Sequence, residues 1–445
     1  MARSNFPVEV TQWISQLANL LHATCGWRLS PLLVGMLFAK GRRTVASWLR
    51  AGGLRKDYQD YYYLLGSVGR NIKALAGALL RLAVQAINPG ERLLFAIDDT
   101  PTKRYGPKVE GAGMHHNPTP GPAGQKFLYG HVWVTLSWVV RHALWGTIGL
   151  PLLAALYVRK VDLANIISCS RPKFQTKLEQ AADLVEWLAG WLKWLGKTLW
   201  IVTDGAYAKK PFLRRAKKAG TVVVSRLRKD AALWSVPAPV PPGKRRRGKP
   251  RLYGKERISL AKRAGHRQGW LSQTFTLYNK EVLTRYKTFL ATYKPAGGLI
   301  RVVLVRQDSG AWRAYFCTDP NATVAEILQA VADRSAIEQN FHDVKEVHGV
   351  GQQQLRNYWA NIGAYHLSLW LHTLIELWAW HKPKKELVDR SASPWDDAAR
   401  RPSHADRRNA MRRQCLENDF QRQAAGEVLS AKIGRLWTRL LGLVT

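Results

Sequence analysis

The sequence predicts a mixed α/β protein, with helices at its N-terminus and an antiparallel β module set into the sheet domain. Three observations predict it. Two apolar runs, Arg92–Thr100 and Thr198–Gly205, end in acids, as buried strands do when their polar residues stand at the carboxyl end. Amphipathic helical patterns accompany them, at Lys173–Leu195 and around Lys209–Lys218. Beyond a Pro-rich break at Ala238, residues 268–318 change to short runs of strand formers with a hairpin turn at Asp308–Gly310.

Composition bounds the partners. At 445 residues the chain has room for two or three domains, and 46% hydrophobic with 22% charged residues describes a globular protein. Lys plus Arg number 68 against 31 Asp plus Glu, a formal charge of +37. Self-repulsion on that scale asks for a polyanion, and double-stranded DNA is the expected partner. The basic residues are spread along the chain and do not line one amphipathic helix, which argues against a membrane surface. Met1–Val10 has no apolar signal core, and the apolar runs Val132–Val158 and Tyr365–Trp380 are interrupted by charged or His residues. A soluble, cytoplasmic protein is expected. Cys25, Cys169, Cys317 and Cys415 stand far apart, so neither a zinc finger nor a disulfide framework is predicted.

In chain order, residues 1–88 read as a helical DNA-binding domain. Leu32, Leu33, Met36 and Leu37 have helical spacing, and Thr44 caps a second stripe of Val45, Trp48 and Leu49. With Arg42, Arg43 and Arg50 exposed, this fits a helix-turn-helix reader or an ordinary helical hairpin. Residues 89–226 form the first part of a catalytic core. It holds both acid-ended strands, a Gly- and Pro-rich loop over Lys103–Lys126, and a strand pair within 127–158. Lys103, Arg104 and Lys108 are read as free for phosphates, and His115 and His116 as solvated loop residues. Residues 227–320 are a basic linker and β insertion, with Tyr278 placed in a strand beside Thr274 and Phe275. Residues 321–382 complete the core, ending in an apolar helix that packs on the sheet. Residues 383–445 are a basic tail with a helical end.

The chemistry sits in three acids. On a helix, Arg334, Glu338 and Lys345 fall within roughly 40° of one another, beside His342. Ile337, Phe341 and Val344 form the strip that fastens this helix to a core. Asp98 and Asp204 end the two buried strands, where α/β sheets place active sites. Singly, each acid reads better as a turn residue or half of a helix ion pair. Together they form an all-oxygen set suited to Mg²⁺ or Mn²⁺. Two such ions about 3.5–4 Å apart can activate a hydroxyl and stabilise the leaving oxygen of a phosphodiester. Asp99, on the opposite side of its strand, is the alternative first ligand.

These residues resemble a known family. Arg334, Glu338 and Lys345 match the last three positions of the Tyr-Arg-Glu-Lys signature of insertion-sequence DDE transposases, which have an RNase H-like core. The Asp98-Asp99-Thr100 and Thr203-Asp204-Gly205 runs and the β insertion accompany the match. The resemblance covers roughly residues 90–380. It implies that Asp98, Asp204 and Glu338 hold two metal ions, and that Arg334 and Lys345 grip phosphates. It implies an enzyme that cleaves element ends and joins 3′-hydroxyls to target DNA. A homodimer in the synaptic complex and a prokaryotic, nucleoid-associated location follow from the same resemblance. The family's Tyr position is Val331 here, a departure that removes the aromatic which in relatives contacts DNA near the cut. Trp270 and Trp312 are the insertion's stacking candidates, or core residues. The basic run Arg245, Arg246, Arg247, Lys249 and Arg251 resembles a minor-groove AT-hook, or serves as a phosphate-gripping linker. Two alternatives stay open: an inactive DNA-binding derivative, and an RNase H-like nuclease without strand transfer.

Overall fold

The computed structural model describes residues 6–54, 56–117, 126–238, 251–391 and 393–423. Six helices open the chain: α1 (Val8–Ala18), α2 (Ala23–Gly26), α3 (Leu29–Phe38), α4 (Val45–Ala51), α5 (Tyr58–Arg70) and α6 (Ile72–Ile87). Thr44 caps α4 as its sequence suggests, accepting the Ser47 N–H at 3.1 Å. Before α4, the Arg43 backbone N–H donates to Gln352 at 2.8 Å, so this hairpin is docked on the core.

The sheet begins with β1 (Arg92–Lys103), β2 (Gly113–His116), β3 (Phe127–His142) and β4 (Gly146–Tyr157). Helix α7 (Lys177–Leu192), β5 (Thr198–Thr203), α8 (Lys210–Lys218) and β6 (Val222–Leu227) follow. β4, β3 and β1 pair antiparallel, and β1, β5 and β6 pair parallel. Three antiparallel strands followed by two parallel ones, with helices between, is the RNase H-like arrangement. Next come β7 (Leu233–Trp234), β8 (Arg257–Ile258), the short α9 (Leu260–Gly265), β9 (Leu271–Leu277), β10 (Lys280–Tyr293), β11 (Gly298–Arg306) and β12 (Trp312–Cys317). β12 lies antiparallel beside β6, pairing Ala314 with Leu227, so these strands extend the core sheet. The chain then forms α10 (Val324–Asp333), α11 (Ser335–Glu346), α12 (Tyr358–Ala379), α13 (Lys384–Leu387) and α14 (His404–Gln423).

Strand alternation divides the sheet into two faces. Along β1, Leu93, Phe95 and Ile97 enter the larger core with α7 and α12, while Leu94 and Ala96 face the smaller one with α10 and α11. Along β5, Leu199 and Ile201 join the larger core, and Trp200 and Val202 the smaller. Helix α12 lies between the sheet and the N-terminal helices. All its residues but Trp359 are buried, as expected of a helix apolar on every side. Its approach to α5 needs two bare glycines. A Cβ on Gly363 would sit 2.0 Å from the Leu65 carbonyl oxygen, and one on Gly69 2.0 Å from that of Trp359.

Several sequence expectations change. The segment after β1 is more structured than a loop. β1 runs on to Lys103 against β3, and β2 pairs with β3. Arg104 is buried and donates to His131 at 3.0 Å and to the Gly351 carbonyl at 2.9 Å, which removes it from phosphate binding. His115 is buried beside Tyr157, not solvated; only His116 is exposed. Tyr278 lies in no strand. It and Asn279 have φ of 52° and 60° and form the two-residue turn between β9 and β10. Two basic residues of the tail are structural: Arg408 and Arg412 are buried and each donates to the Leu37 carbonyl at 2.7 Å, at the end of α3. Among the described residues no helix is long and apolar enough to cross a membrane.

Candidate active site

Asp98 and Asp204 meet because of register. The parallel ladder between β1 and β5 ends at Ile97 opposite Thr203, so the next residues on both strands are the two acids. Alternation turns both to the α10–α11 face. Asp204 leads into a single turn and accepts the Gly205 N–H at 2.5 Å, while the Ser225 hydroxyl donates to its carbonyl at 3.0 Å.

The same alternation sends Asp99 to the far face. There the Lys177 ammonium donates to it at 2.7 Å and the Tyr207 hydroxyl at 3.0 Å. Adjacent acids thus have separate surroundings.

Glu338 arrives on α11, whose Ile337, Phe341 and Val344 are buried as the strip predicted. The Asn340 amide donates to the Gly149 carbonyl at 2.9 Å and pins the helix to β4. A side chain at Gly149 would not fit, since its Cβ would stand 2.3 Å from Asn340 Oδ1. At the junction of α10 and α11, Asp333 accepts from Arg141 at 3.1 Å and from the Thr147 hydroxyl at 2.8 Å. That junction fixes the next residue, Arg334. Its Nη1 donates to Asp98 Oδ2 at 2.6 Å and its Nη2 to Glu338 Oε1 at 2.6 Å. One guanidinium therefore spans the strand acid and the helix acid.

Electrostatics agree with this grouping. Burial raises the Asp98 carboxyl to about 6; Arg334 and the Asp99 N–H oppose the rise, while the Asp99 and Asp204 charges add to it. Burial would lower the Arg334 pKa, but Asp98, Glu338 and Asp204 hold it above its ordinary value. A position between carboxylates that accommodates a guanidinium is suited to positive charge, and an all-carboxylate set fits Mg²⁺ or Mn²⁺. The three acids are not drawn onto one point, however. Among the described residues, the only three His, Cys, Asp or Glu ligand atoms within 4.8 Å of one another belong to histidines elsewhere.

Lys345 stands apart. It lies about three turns beyond Arg334 on α11, and no ion pair joins it to Glu338; burial lowers its pKa, with Glu346 opposing. Helical phase alone placed it in the stripe, and the rise along the axis separates it. Val331 is partly buried against the smaller core. Arg245, Arg246, Arg247 and Lys249 lie outside the described residues, as do the end of the tail and the middle of the Gly- and Pro-rich segment. Arg251 is exposed.

Two features were missed in the sequence. The phenol of Tyr278, 60% exposed at the β9–β10 turn, lies within the electrostatic reach of Arg334 and Glu338. The Tyr-Asn pair was its signal, because Asn favours the left-handed conformation that such a turn demands. Beside Asp204 runs a groove of about 440 Å³ lined by Arg226, Arg228, Lys229, Trp312 and Arg313. Lys229 sits 5.3 Å from the centre of the Trp312 ring. Trp270 is instead flanked by Lys287 and Arg306 and does not line this groove.

An RNase H-like sheet thus brings two acids at the end of its parallel ladder to one face, with a helix acid joined to them through Arg334. The family model of the DDE superfamily endonucleases matches residues 16–284, more than half the chain, and the protein belongs to that family. The matched stretch includes Asp98 and Asp204 and ends before Glu338. No curated protein matches the chain. Among solved structures, the chain is similar to the piggyBac transposase in a synaptic complex with hairpin DNA. That pairing has a TM-score of 0.41 and 10% identity, over 97% of this chain and 76% of the other.

Proposed function

We propose that this endonuclease is a DNA transposase of the insertion-sequence type, cutting element ends and joining the freed 3′-hydroxyls to target DNA. The observation that carries the reading is the Arg334 bridge between Asp98 and Glu338, beside the Asp98–Asp204 register. Asp98, Asp204 and Glu338 would hold two Mg²⁺ or Mn²⁺ ions. When bound, these supply charge stabilisation for the attacking and leaving oxygens of the phosphodiester.

The chain's own residues have separate tasks in this reading. Arg334 orients the scissile phosphate as well as the two carboxylates, a task suited to a planar, two-armed donor. Arg226, Arg228, Lys229 and Arg313 lead the backbone past Asp204, and Lys345, with the basic run up to Arg251, grips phosphates further out. Tyr278 offers the exposed aromatic contact that Val331 does not. Asp99, held by Lys177 and Tyr207, steadies β1 just beyond its ladder with β5.

The N-terminal helices (residues 1–88), the β insertion (227–320) and the tail (383–445) would bind the element ends, around a core of 89–226 and 321–382. Holding two ends together calls for a homodimer on double-stranded DNA, acting in a prokaryotic cytoplasm at the nucleoid. The test is incubation of the purified chain with Mn²⁺, linear DNA carrying the element end, and a supercoiled target. Joined products are expected. Cut ends without joining would reduce the reading to a nuclease, and intact DNA would leave only a binding protein.

A further inference from the structure

Away from the acids, His348, His372 and His404 gather in the interior. One ring nitrogen of each lies within 4.8 Å of the other two, and all three residues are buried. They come from three places: the segment just after α11, the middle of α12, and the first turn of α14. His348 Nε2 and His404 Nε2 face each other at 2.8 Å. The other nitrogen of His404, Nδ1, lies 2.7 Å from Glu376 Oε1. A carboxylate on the far nitrogen is the arrangement that fixes a metal-binding imidazole's tautomer and raises its basicity.

His372 supplies the independent observation. Only 2% exposed, its Nδ1 has no hydrogen-bond partner, while its Nε2 is 3.2 Å from the Asn340 amide. An orphaned nitrogen in so buried a place is costly unless it gains a partner, which as an ion's ligand it does once the ring proton sits on Nε2. Nearby positive charge is already engaged. Arg407 donates to both Glu376 oxygens, at 2.9 and 2.7 Å, and Arg408 is taken up by carbonyls at the end of α3.

We propose that His348, His372 and His404 form a buried site for a zinc-class transition ion, separate from the three-acid centre. Three imidazoles are a donor set for Zn²⁺ and not for Mg²⁺. The ion would tie the end of the Glu338 helix to α12 and α14, a structural role matching its burial.

The experiment uses the untagged full-length protein, exposed to Zn²⁺ and passed through gel filtration. About one zinc per chain is expected to remain, and to be lost in His348→Gln and in His404→Ala but kept in Asp98→Ala. Co²⁺ loaded into the wild-type chain provides a readout that needs no variant to fold, and the intense visible absorption of a four-coordinate site with three imidazole nitrogens is expected. Trace zinc only would overturn the proposal, as would the weak spectrum of six-coordinate Co²⁺, or zinc lost with Asp98→Ala and kept in the histidine variants.

Discussion

Tyr207 donates its hydroxyl to Asp99 at 3.0 Å and leaves Asp98, the next residue along the strand, to the opposite face of the sheet. That division decides what each acid can do. Asp98 meets Arg334 and Asp204, and Asp99 stabilises the strand. In Asp99→Asn, cleavage should stay within about tenfold of wild type, with a loss of about 1 kcal/mol for the weakened Lys177 and Tyr207 contacts. In Asp98→Asn, cleavage should vanish. Nicking assays beside thermal melts check both, and the reverse pattern would make Asp99 the site residue.

The raised pKa of Asp98 sets a pH dependence. Its folded value of about 6 lies above the ordinary 3.8, so between those values the unfolded chain releases a proton that the folded one keeps. Stability from this group is therefore present below about 3.8, falls as pH rises through about 6, and is level above. Asp98→Asn should accordingly melt no lower than wild type at pH 8. Cleavage needs the ionised form, so the rate should drop as pH falls through about 6, and Arg334→Lys should move that limb upward. An acid limb unchanged in Arg334→Lys would count against the bridge.

Tyr278 stands near Arg334 and Glu338 on an exposed turn. Tyr278→Ala should leave melting within a degree or two while reducing end cleavage about tenfold or more, by loss of aromatic contact to the substrate. Steady-state rates on element-end DNA measure this; an unchanged rate would confine Tyr278 to the turn.

Glu376 is 1% exposed, with Arg407 donating to both oxygens. Burial alone would raise its pKa, yet Arg407 and His404 hold it well below the carboxylate range. Its contribution to stability is thus full above the ordinary value and is lost only as pH falls far beneath it. Glu376→Gln leaves a buried guanidinium short of its counter-charge, and should cost roughly 3–5 kcal/mol. Denaturant unfolding at pH 7 measures that cost, and a change under 1 kcal/mol would show the pair to be dispensable.

Much of this was legible in the sequence, for reasons that can be named. Hydrophobic runs ending in acids located β1 and β5, and period-two alternation assigned Asp98 and Asp204 to one face once the neighbours of Leu94 and Trp200 were known. The i,i+4 spacing of Arg334 and Glu338 foretold their contact. Helical phase could not foretell that Arg334 also reaches Asp98, since that depends on how α11 seats against Gly149 and β4. Charge misled in the other direction. Arg104, Arg408 and Arg412 look like phosphate ligands in a chain this basic, yet backbone carbonyls that only the fold assembles take them inside. The histidine cluster has no local signal, because its members are separated by 24 and 32 residues and meet only through packing of α12 and α14.

In the proposed function Asp98, Asp204 and Glu338 act as one cation-dependent centre. Its most direct measurement is Mn²⁺-dependent nicking of element-end DNA by Asp98→Asn, Asp204→Asn and Glu338→Gln, each shown to be folded by its melting curve. Every one of the three is expected to lose about 10²-fold or more in rate, while DNA binding persists. Near wild-type cleavage by any one of them would contradict that expectation.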